Sequence, residues 1–252
     1  MSRRGLARWT ESHRPALDGL IGQDDARDIL NGILKLNLHC NILCHGRAGV
    51  GKTSACIGFA SAAGLDTLIL NASNENGIDV VRNNIKTFVT CYSVYGKSRK
   101  AVILDECDAM SDVAQKALRK IMEDYGDRTY FLLTCNDVER VHPAVVSRCL
   151  TIAFVPLSVS MIRNICSNIC KDEGVECPTE DEWFKGGDAR RAINSIQSGT
   201  IQSLSTPLLS GISYDDKKYN IDRLAKLDYM LHTSTSEHVK SDIRRHIHLF
   251  YK

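Results

Sequence analysis

The sequence predicts an α/β fold: a parallel five-stranded sheet flanked by helices, followed along the chain by a smaller helical unit. Three observations carry that prediction. Five short apolar runs lie between residues 41 and 155, and segments of helix length separate them. A glycine loop of fixed spacing, Gly46-Arg47-Ala48-Gly49-Val50-Gly51-Lys52-Thr53, joins the first run to the first of those segments.

Taken in order, Asn41-Ile42-Leu43-Cys44-His45 makes a strand over 41–45, and Ser54-Ala55-Cys56-Ile57-Gly58-Phe59-Ala60 lies within a helix over 51–64. Thr67-Leu68-Ile69-Leu70-Asn71 makes the second strand, 67–71, and a helix is expected over 77–92. Ala101-Val102-Ile103-Leu104-Asp105 is the third strand, 101–105; the helix after it, 111–125, has Ser111 as its N-cap and Gly126 at its end. The fourth strand covers 129–135, a short helix 142–148 carries Pro143 in its first turn, and the last strand, 150–155, is closed by Pro156. This βαβαβαβαβ order implies a parallel sheet covered on both faces. Ligands of such sheets sit at the carboxyl ends of the strands, where the glycine loop falls. Beyond Pro156, helices are expected over 158–173 and 187–198, forming a small unit at about 157–200. A Ser/Thr/Leu-rich stretch at 199–210 reads as a connection, and 211–252 as a short helical pair or a loosely ordered tail.

Composition narrows the function classes. The 252 residues contain no run of 18 apolar residues, and the basic start, Met1 to Trp9, lacks the apolar core of a secretory signal. Neither a membrane span nor export is expected. The ten cysteines then read as reduced thiols, with Cys40, Cys44, Cys56, Cys107, Cys135 and Cys149 in or beside apolar stretches. Cys166 and Cys170, four apart on one helix, read as part of an apolar face with Met161, Ile162, Ile165 and Ile169 rather than as metal ligands, since no C-x-x-C pair accompanies them. A formal charge of +2 means that any nucleic-acid contact must come from local basic patches.

The glycine loop is the strongest chemical signal. Its pattern, G-x-x-x-x-G-K-[ST] between a strand and a helix, marks a nucleoside triphosphate site. Gly46, Gly49, Val50, Gly51 and, in the first helical turn, Ser54 would present backbone N–H groups to phosphate oxygens. Lys52 would place its charge on the β- and γ-phosphates, and the Thr53 hydroxyl would ligate Mg²⁺. The second signal is Asp105-Glu106 at the end of the apolar run 101–104. Asp105 would hold Mg²⁺ through water, and Glu106 would polarise the attacking water as the hydrolytic base.

Asp105-Glu106-Cys107-Asp108, continuing through Ala109-Met110-Ser111-Asp112-Val113-Ala114-Gln115-Lys116-Ala117-Leu118-Arg119-Lys120, resembles the clamp-loader branch of the AAA+ ATPases, the replication factor C small subunits. Further matching blocks are Trp9 to Pro15 with Ile21-Gly22-Gln23, Leu70-Asn71-Ala72-Ser73 through Gly77 to Arg82, Ser147-Arg148-Cys149, and Gly187-Asp188-Ala189-Arg190-Arg191-Ala192-Ile193-Asn194. Together these blocks span about residues 8–200. The resemblance implies an AAA+ P-loop domain over 1–156, a helical lid over 157–207 and a remnant of a third domain over 208–252. Asn136 then matches the first sensor, an amide set against the γ-phosphate or the lytic water, although an Asn after a strand is in isolation usually a turn residue. Arg148 matches the arginine finger that points into a neighbouring subunit's site; the alternative is a surface arginine capping a helix C-terminus. Arg190 matches the second sensor, with Arg191 the less favoured neighbour. Arg14, Pro15, Ile21 and Gln23 match the segment that packs around adenine.

Partners follow from the same resemblance: other clamp-loader subunits in a hetero-pentamer, a PCNA-like sliding clamp, and primer–template DNA bound without sequence readout, in the nucleus. Arg82 and Lys86 are the DNA-facing residues, unless they are merely a solvated helix face. Phe88, Tyr92 and Tyr95 are the clamp-facing aromatics, unless they are core. The family commonly has two prolines where this loop has Arg47-Ala48. It also continues through a helical collar of roughly 100 residues, against about 45 here, which implies a shortened collar. The implied activity is ATP hydrolysis at a site shared between subunits. The rivals are a non-hydrolysing structural subunit of the same complex and a different AAA+ DNA remodeller such as a branch-migration motor.

Overall fold

Alternation within each apolar run decides the architecture, because successive side chains of a strand point to opposite faces. The computed structural model describes residues 8–72, 78–91 and 99–210, with side chains for all of these except 78–82 and 200–210. The chain divides into two compact units, one holding Arg14–Ile162 with Lys185–Ala189, the other the described residues 8–13, 163–184 and 190–210.

In the larger unit, strands β1 (Asn41–His45), β2 (Asp66–Asn71), β3 (Lys100–Asp105), β4 (Thr129–Cys135) and β5 (Cys149–Ala153) form one sheet in the order β2-β3-β4-β1-β5. Every pairing is parallel; Leu43 lies opposite Leu133 on one side and Thr151 on the other. One sheet face takes Ile42 and Cys44 of β1, Ala101 and Ile103 of β3, and Tyr130 and Leu132 of β4. Against them pack Leu30 and Ile33 of α2 (Asp24–Lys35) and Ala55, Cys56 and Phe59 of α3 (Lys52–Ala62). The alternate residues, Leu43, Val102, Leu104, Phe131 and Leu133, face Ile85 and Val89 of α4 (Ile78–Thr90) and Leu118, Ile121 and Met122 of α5 (Asp112–Tyr125). Val145 of the short α6 (Pro143–Val146) joins this second cluster. Both faces are therefore dry, as a parallel sheet requires.

Caps follow the residue types. Ser111 accepts the Ala114 N–H at 3.3 Å, and Pro143 stands at the start of α6. Gly126 follows α5 with a right-handed φ of −59° rather than in the left-handed conformation common at helix ends. Its role is spatial, because a Cβ there would lie 2.5 Å from the Met122 carbonyl oxygen.

Most element boundaries shift by one or two residues from the sequence expectation, and that of the last helix by more. The last strand covers Cys149–Ala153 instead of 150–155: Phe154 makes the final bond to β1, at the His45 carbonyl, and the Val155 N–H turns to the side chain of Gln23. The stretch 199–210 is no connection: one helix, α8, runs from Ala189 to Ser210. Ile193, Ile196, Ile201, Leu204 and Leu208 keep a helical spacing through it. That periodicity outweighs the propensity costs of Gly199 and Pro207.

In the smaller unit, Cys166, Ile169 and Cys170, on one face of α7 (Val159–Glu173), are buried. Arg163 stacks over the fully buried Phe184 ring at 5.1 Å and pairs with Asp181. Trp9 of α1 (Trp9–Ser12) is buried, its backbone N–H donating to Gln197 Oε1 at 3.2 Å, and His13 Nε2 meets Glu173 Oε1 at 2.5 Å. The expected tail, 211–252, lies outside the described residues. No helix among the described residues is long and apolar enough to cross a membrane.

The described cysteines are free thiols, Cys91 exposed and Cys44, Cys56, Cys107, Cys135, Cys166 and Cys170 buried. Burial pushes Cys149 and Cys166 up to about 12. Both stay protonated and unreactive at pH 8. Alkylation of the native protein at that pH, read by mass spectrometry, is expected to modify Cys91 first and Cys149 and Cys166 only after denaturation. Equal rates at all three would contradict this packing.

Candidate nucleotide-binding site

Register brings the chemistry together. His45 pairs with Cys135 and Asn71 with Asp105, so the segments leaving β1, β3 and β4 emerge side by side at the sheet's carboxyl edge. The loop after β1 needs its glycines for both conformation and space. Gly46, Gly49 and Gly51 have φ of 144°, 73° and 104°, a region other residues enter only at a cost. A Cβ on Gly46 would lie 2.4 Å from the Phe154 carbonyl oxygen, and one on Gly49 1.7 Å from Asp188 Oδ1. The Gly49 carbonyl also accepts the Ala189 N–H at 3.1 Å. Gly49→Ala is therefore expected to destabilise the chain by about 2 kcal/mol, lowering the melting temperature by roughly 4–8 °C in a thermal melt.

α3 begins at Lys52 with no side-chain cap on its first turn, leaving the leading N–H groups, Thr53 and Ser54 among them, turned toward the loop. Lys52 is only 7% exposed, and its amino group donates to Gly46 O at 2.6 Å, Arg47 O at 2.8 Å and Asn136 Oδ1 at 3.0 Å. Thr53 Oγ1 donates to Asp105 Oδ1 at 2.8 Å. Two hard oxygen donors so close together suit Mg²⁺, which prefers few carboxylates and retains waters. Glu106 follows Asp105 in a left-handed conformation, φ 58°, a strained state for a residue with a Cβ and one that gathers at functional sites. Lys52, Thr53, Asp105, Glu106 and Asn136 thus belong to one small constellation.

The remaining expected site residues have different surroundings. Val50 is buried, and its carbonyl accepts from Gln23 Nε2 at 3.3 Å. Gln23 Nε2 also reaches Val155 O at 2.7 Å, while its Oε1 takes the Val155 N–H at 3.1 Å. Gln23 is therefore a buried brace between the loop and the exit of β5. Ile21 is half-buried, and Arg14 and Pro15 are exposed. Arg148, between α6 and β5, is exposed; its guanidinium donates to Ala144 O at 2.6 Å and pairs with Glu123. Desolvation, which would raise the Glu123 carboxyl, is outweighed by hydrogen bonds from Arg148 and Arg119, which hold it below its ordinary value. Arg190 and Arg191 are exposed at the start of α8, in the smaller unit. Lys86 is exposed on α4, and Phe88 packs against the second core cluster with the Lys100 ammonium 4.9 Å from its ring centre. The side chain of Arg82, and Tyr92 and Tyr95 altogether, lie outside the described residues.

Three further residues support the site without having been expected from sequence. Thr134, almost wholly buried, donates to Asp105 Oδ1 at 2.5 Å and accepts the Glu106 N–H at 3.2 Å. Gln115 donates to Met110 O and Arg140 O and accepts the His142 N–H, fastening α5 to the turn ahead of α6. Asp108 accepts the N–H groups of Asn136 and Asp137. The available signal was a polar residue inside an otherwise apolar element, such as Thr134 in the fully buried β4.

Comparison with known proteins adds a lineage. Residues 25–158 match the family model for the DNA polymerase III delta subunit. The chain is 38% identical over 200 residues to a replication factor C small subunit of Archaeoglobus fulgidus, covering 75% of this chain and 62% of that one. Against the small subunit of Methanoregula boonei the identity is 34% over 231 residues, covering 87% and 72%. Eukaryotic counterparts, such as replication factor C subunit 3 of Saccharomyces cerevisiae, match over 75% of the chain. The chain spans about three fifths of the length of several of these relatives. Among solved structures, the Holliday junction branch migration motor RuvB of Thermotoga maritima superposes with a TM-score of 0.61 over 86% of this chain and 79% of its own, at 16% identity. At that identity the likeness concerns the fold alone.

Proposed function

From the premise that the chain belongs to the replication factor C small-subunit family, we propose that it is an ATP-binding, ATP-hydrolysing clamp-loader subunit. The observation that carries this reading is the meeting of two hydrogen-bonded sets at one edge of the sheet, Lys52 with Asn136, and Thr53 with Asp105, Thr134 and the Glu106 N–H. Lys52 and the N–H groups of the loop bind the phosphates and withdraw negative charge from them. Thr53 and Asp105 would hold Mg²⁺, which supplies charge neutralisation on the triphosphate. The Glu106 carboxylate takes a proton from the attacking water, and Asn136 orients that water or the γ-phosphate. Arg148 completes a neighbouring subunit's site, and Arg190 acts as the second sensor on the strength of its Gly187–Asn194 motif. Arg14, Pro15 and Ile21 border the adenine.

The complex would be a hetero-pentamer in the nucleus that grips a ring-shaped clamp and primer–template DNA, with Arg82 and Lys86 toward phosphates and Phe88, Tyr92 and Tyr95 toward the clamp. Purification of the full chain with its co-expressed partners tests this. ATP hydrolysis stimulated jointly by sliding clamp and primed DNA, and reduced about 10²-fold by Glu106→Gln in complexes where this chain's site alone is competent, is the expected result. Unchanged hydrolysis in that variant would make the chain a structural subunit. Stimulation by branched DNA without any clamp would make it another remodeller.

A further inference from the structure

Asp108 has no place in the chemistry described so far, yet its surroundings are costly. The residue is 7% exposed, in the single turn Cys107–Ala109 that follows Glu106. Its Oδ2 accepts two consecutive backbone N–H groups, from Asn136 at 3.1 Å and from Asp137 at 3.2 Å. Its Oδ1 is buried with no hydrogen-bond partner among the described residues. Fold stability alone does not favour a buried carboxylate with one unsatisfied oxygen, and such atoms concentrate where function imposes them.

Asp108 lies two residues after Glu106 and grips the backbone of Asn136, whose own side chain accepts from Lys52. Asn136 and Asp137 are exposed, just beyond the end of β4, where no further ladder bond holds the backbone. A charged acceptor taking both N–H groups fixes the position from which the Asn136 amide projects. Thr134 makes a parallel tie, from β4 to the Glu106 N–H. The turn bearing Glu106 and the segment bearing Asn136 are thus joined at two points.

We propose that Asp108 is a positioning residue for ATP hydrolysis, holding the Asn136 amide in a fixed relation to Glu106. The proposal rests on the hydrolytic reading above. Its effect is on the rate of the bond-breaking step, since what Asp108 holds is the backbone of Asn136 and Asp137.

The test compares five versions of the full chain, each purified with partner subunits whose own ATP sites have been inactivated: wild type, Asp108→Ala, Asp108→Asn, Asn136→Ala and the double variant Asp108→Ala/Asn136→Ala. Asp108→Ala is expected to lower kcat by about 10- to 100-fold with KM for ATP within about threefold of wild type. Asp108→Asn, whose amide oxygen still accepts both N–H groups, is expected to recover most of that loss. The double variant is expected to be no slower than Asn136→Ala alone, because two residues acting through one group do not add. Multiplied losses in the double variant, or a rise in KM with kcat unchanged, would overturn the proposal. Should Asp108→Ala not fold, Asp108→Asn with the kcat of Asn136→Ala would overturn it as well. A wild-type complex without hydrolysis overturns the functional reading and this one together, whereas active wild type, impaired Asn136→Ala and unimpaired Asp108→Ala overturns only the role of Asp108.

Discussion

Lys52→Ala abolishes nucleotide binding at micromolar ATP: an affinity loss of at least about 10²-fold is expected, read by titration of a fluorescent ATP analogue against the purified chain. The ammonium is the charged donor buried in the loop, with Gly46 O, Arg47 O and Asn136 Oδ1 around it. Its removal leaves the phosphates facing only amide dipoles and strips the loop of an internal tie. The two effects separate in a thermal melt without ligand. Lost cohesion lowers the melting temperature of the empty chain, whereas a purely electrostatic role for Lys52 lowers only the ATP-induced stabilisation. Unaltered ATP affinity would remove the loop from the proposed function.

Arg148→Ala is expected to leave ATP binding by the isolated chain unchanged and to lower hydrolysis in the assembled complex by about 10³-fold at the neighbouring site. The geometry motivates both halves. Arg148 bonds to Glu123, Ala144 and Ser147, none of them in the glycine loop, so its removal does not touch the chain's own cradle. Single-turnover hydrolysis in complexes with only one competent site is the measurement. A full rate there would return Arg148 to the status of a surface arginine holding α6 to α5. Glu123→Gln offers a companion observation, because it frees Arg148 without removing it.

The sheet was legible in the sequence because each strand is a short apolar run with its own ends: β1 and β4 match the expected 41–45 and 129–135 residue for residue. The loop and the Asp105-Glu106 pair were legible for a different reason, since their chemistry requires fixed residue types at fixed spacing. What stayed hidden depends on register between distant segments. Gln23 and Val155 are 132 residues apart, and nothing local says that one amide will satisfy both polar groups of the other's backbone. Asp108 and Asn136 meet only because β3 and β4 are neighbours at that edge. The extent of α8 is hidden for the opposite reason: the Ser/Thr/Leu-rich composition of 199–210 reads as a connection, while the apolar spacing carries the helix through.

The crowded ammonium of Lys52 also sets a threshold for what can enter the loop. Three protein oxygens already satisfy it, so an arriving anion gains only the difference between its own contacts and those it displaces. Chloride or a lone sulfate offers little to outbid three oxygens at once. A polyphosphate offers oxygens to the ammonium, the amides and the Thr53 hydroxyl together, and so makes the exchange worthwhile. On the proposed function, selectivity for a chain of phosphates over the far more abundant small anions of the cell would then come from the loop itself, before any base or sugar is recognised.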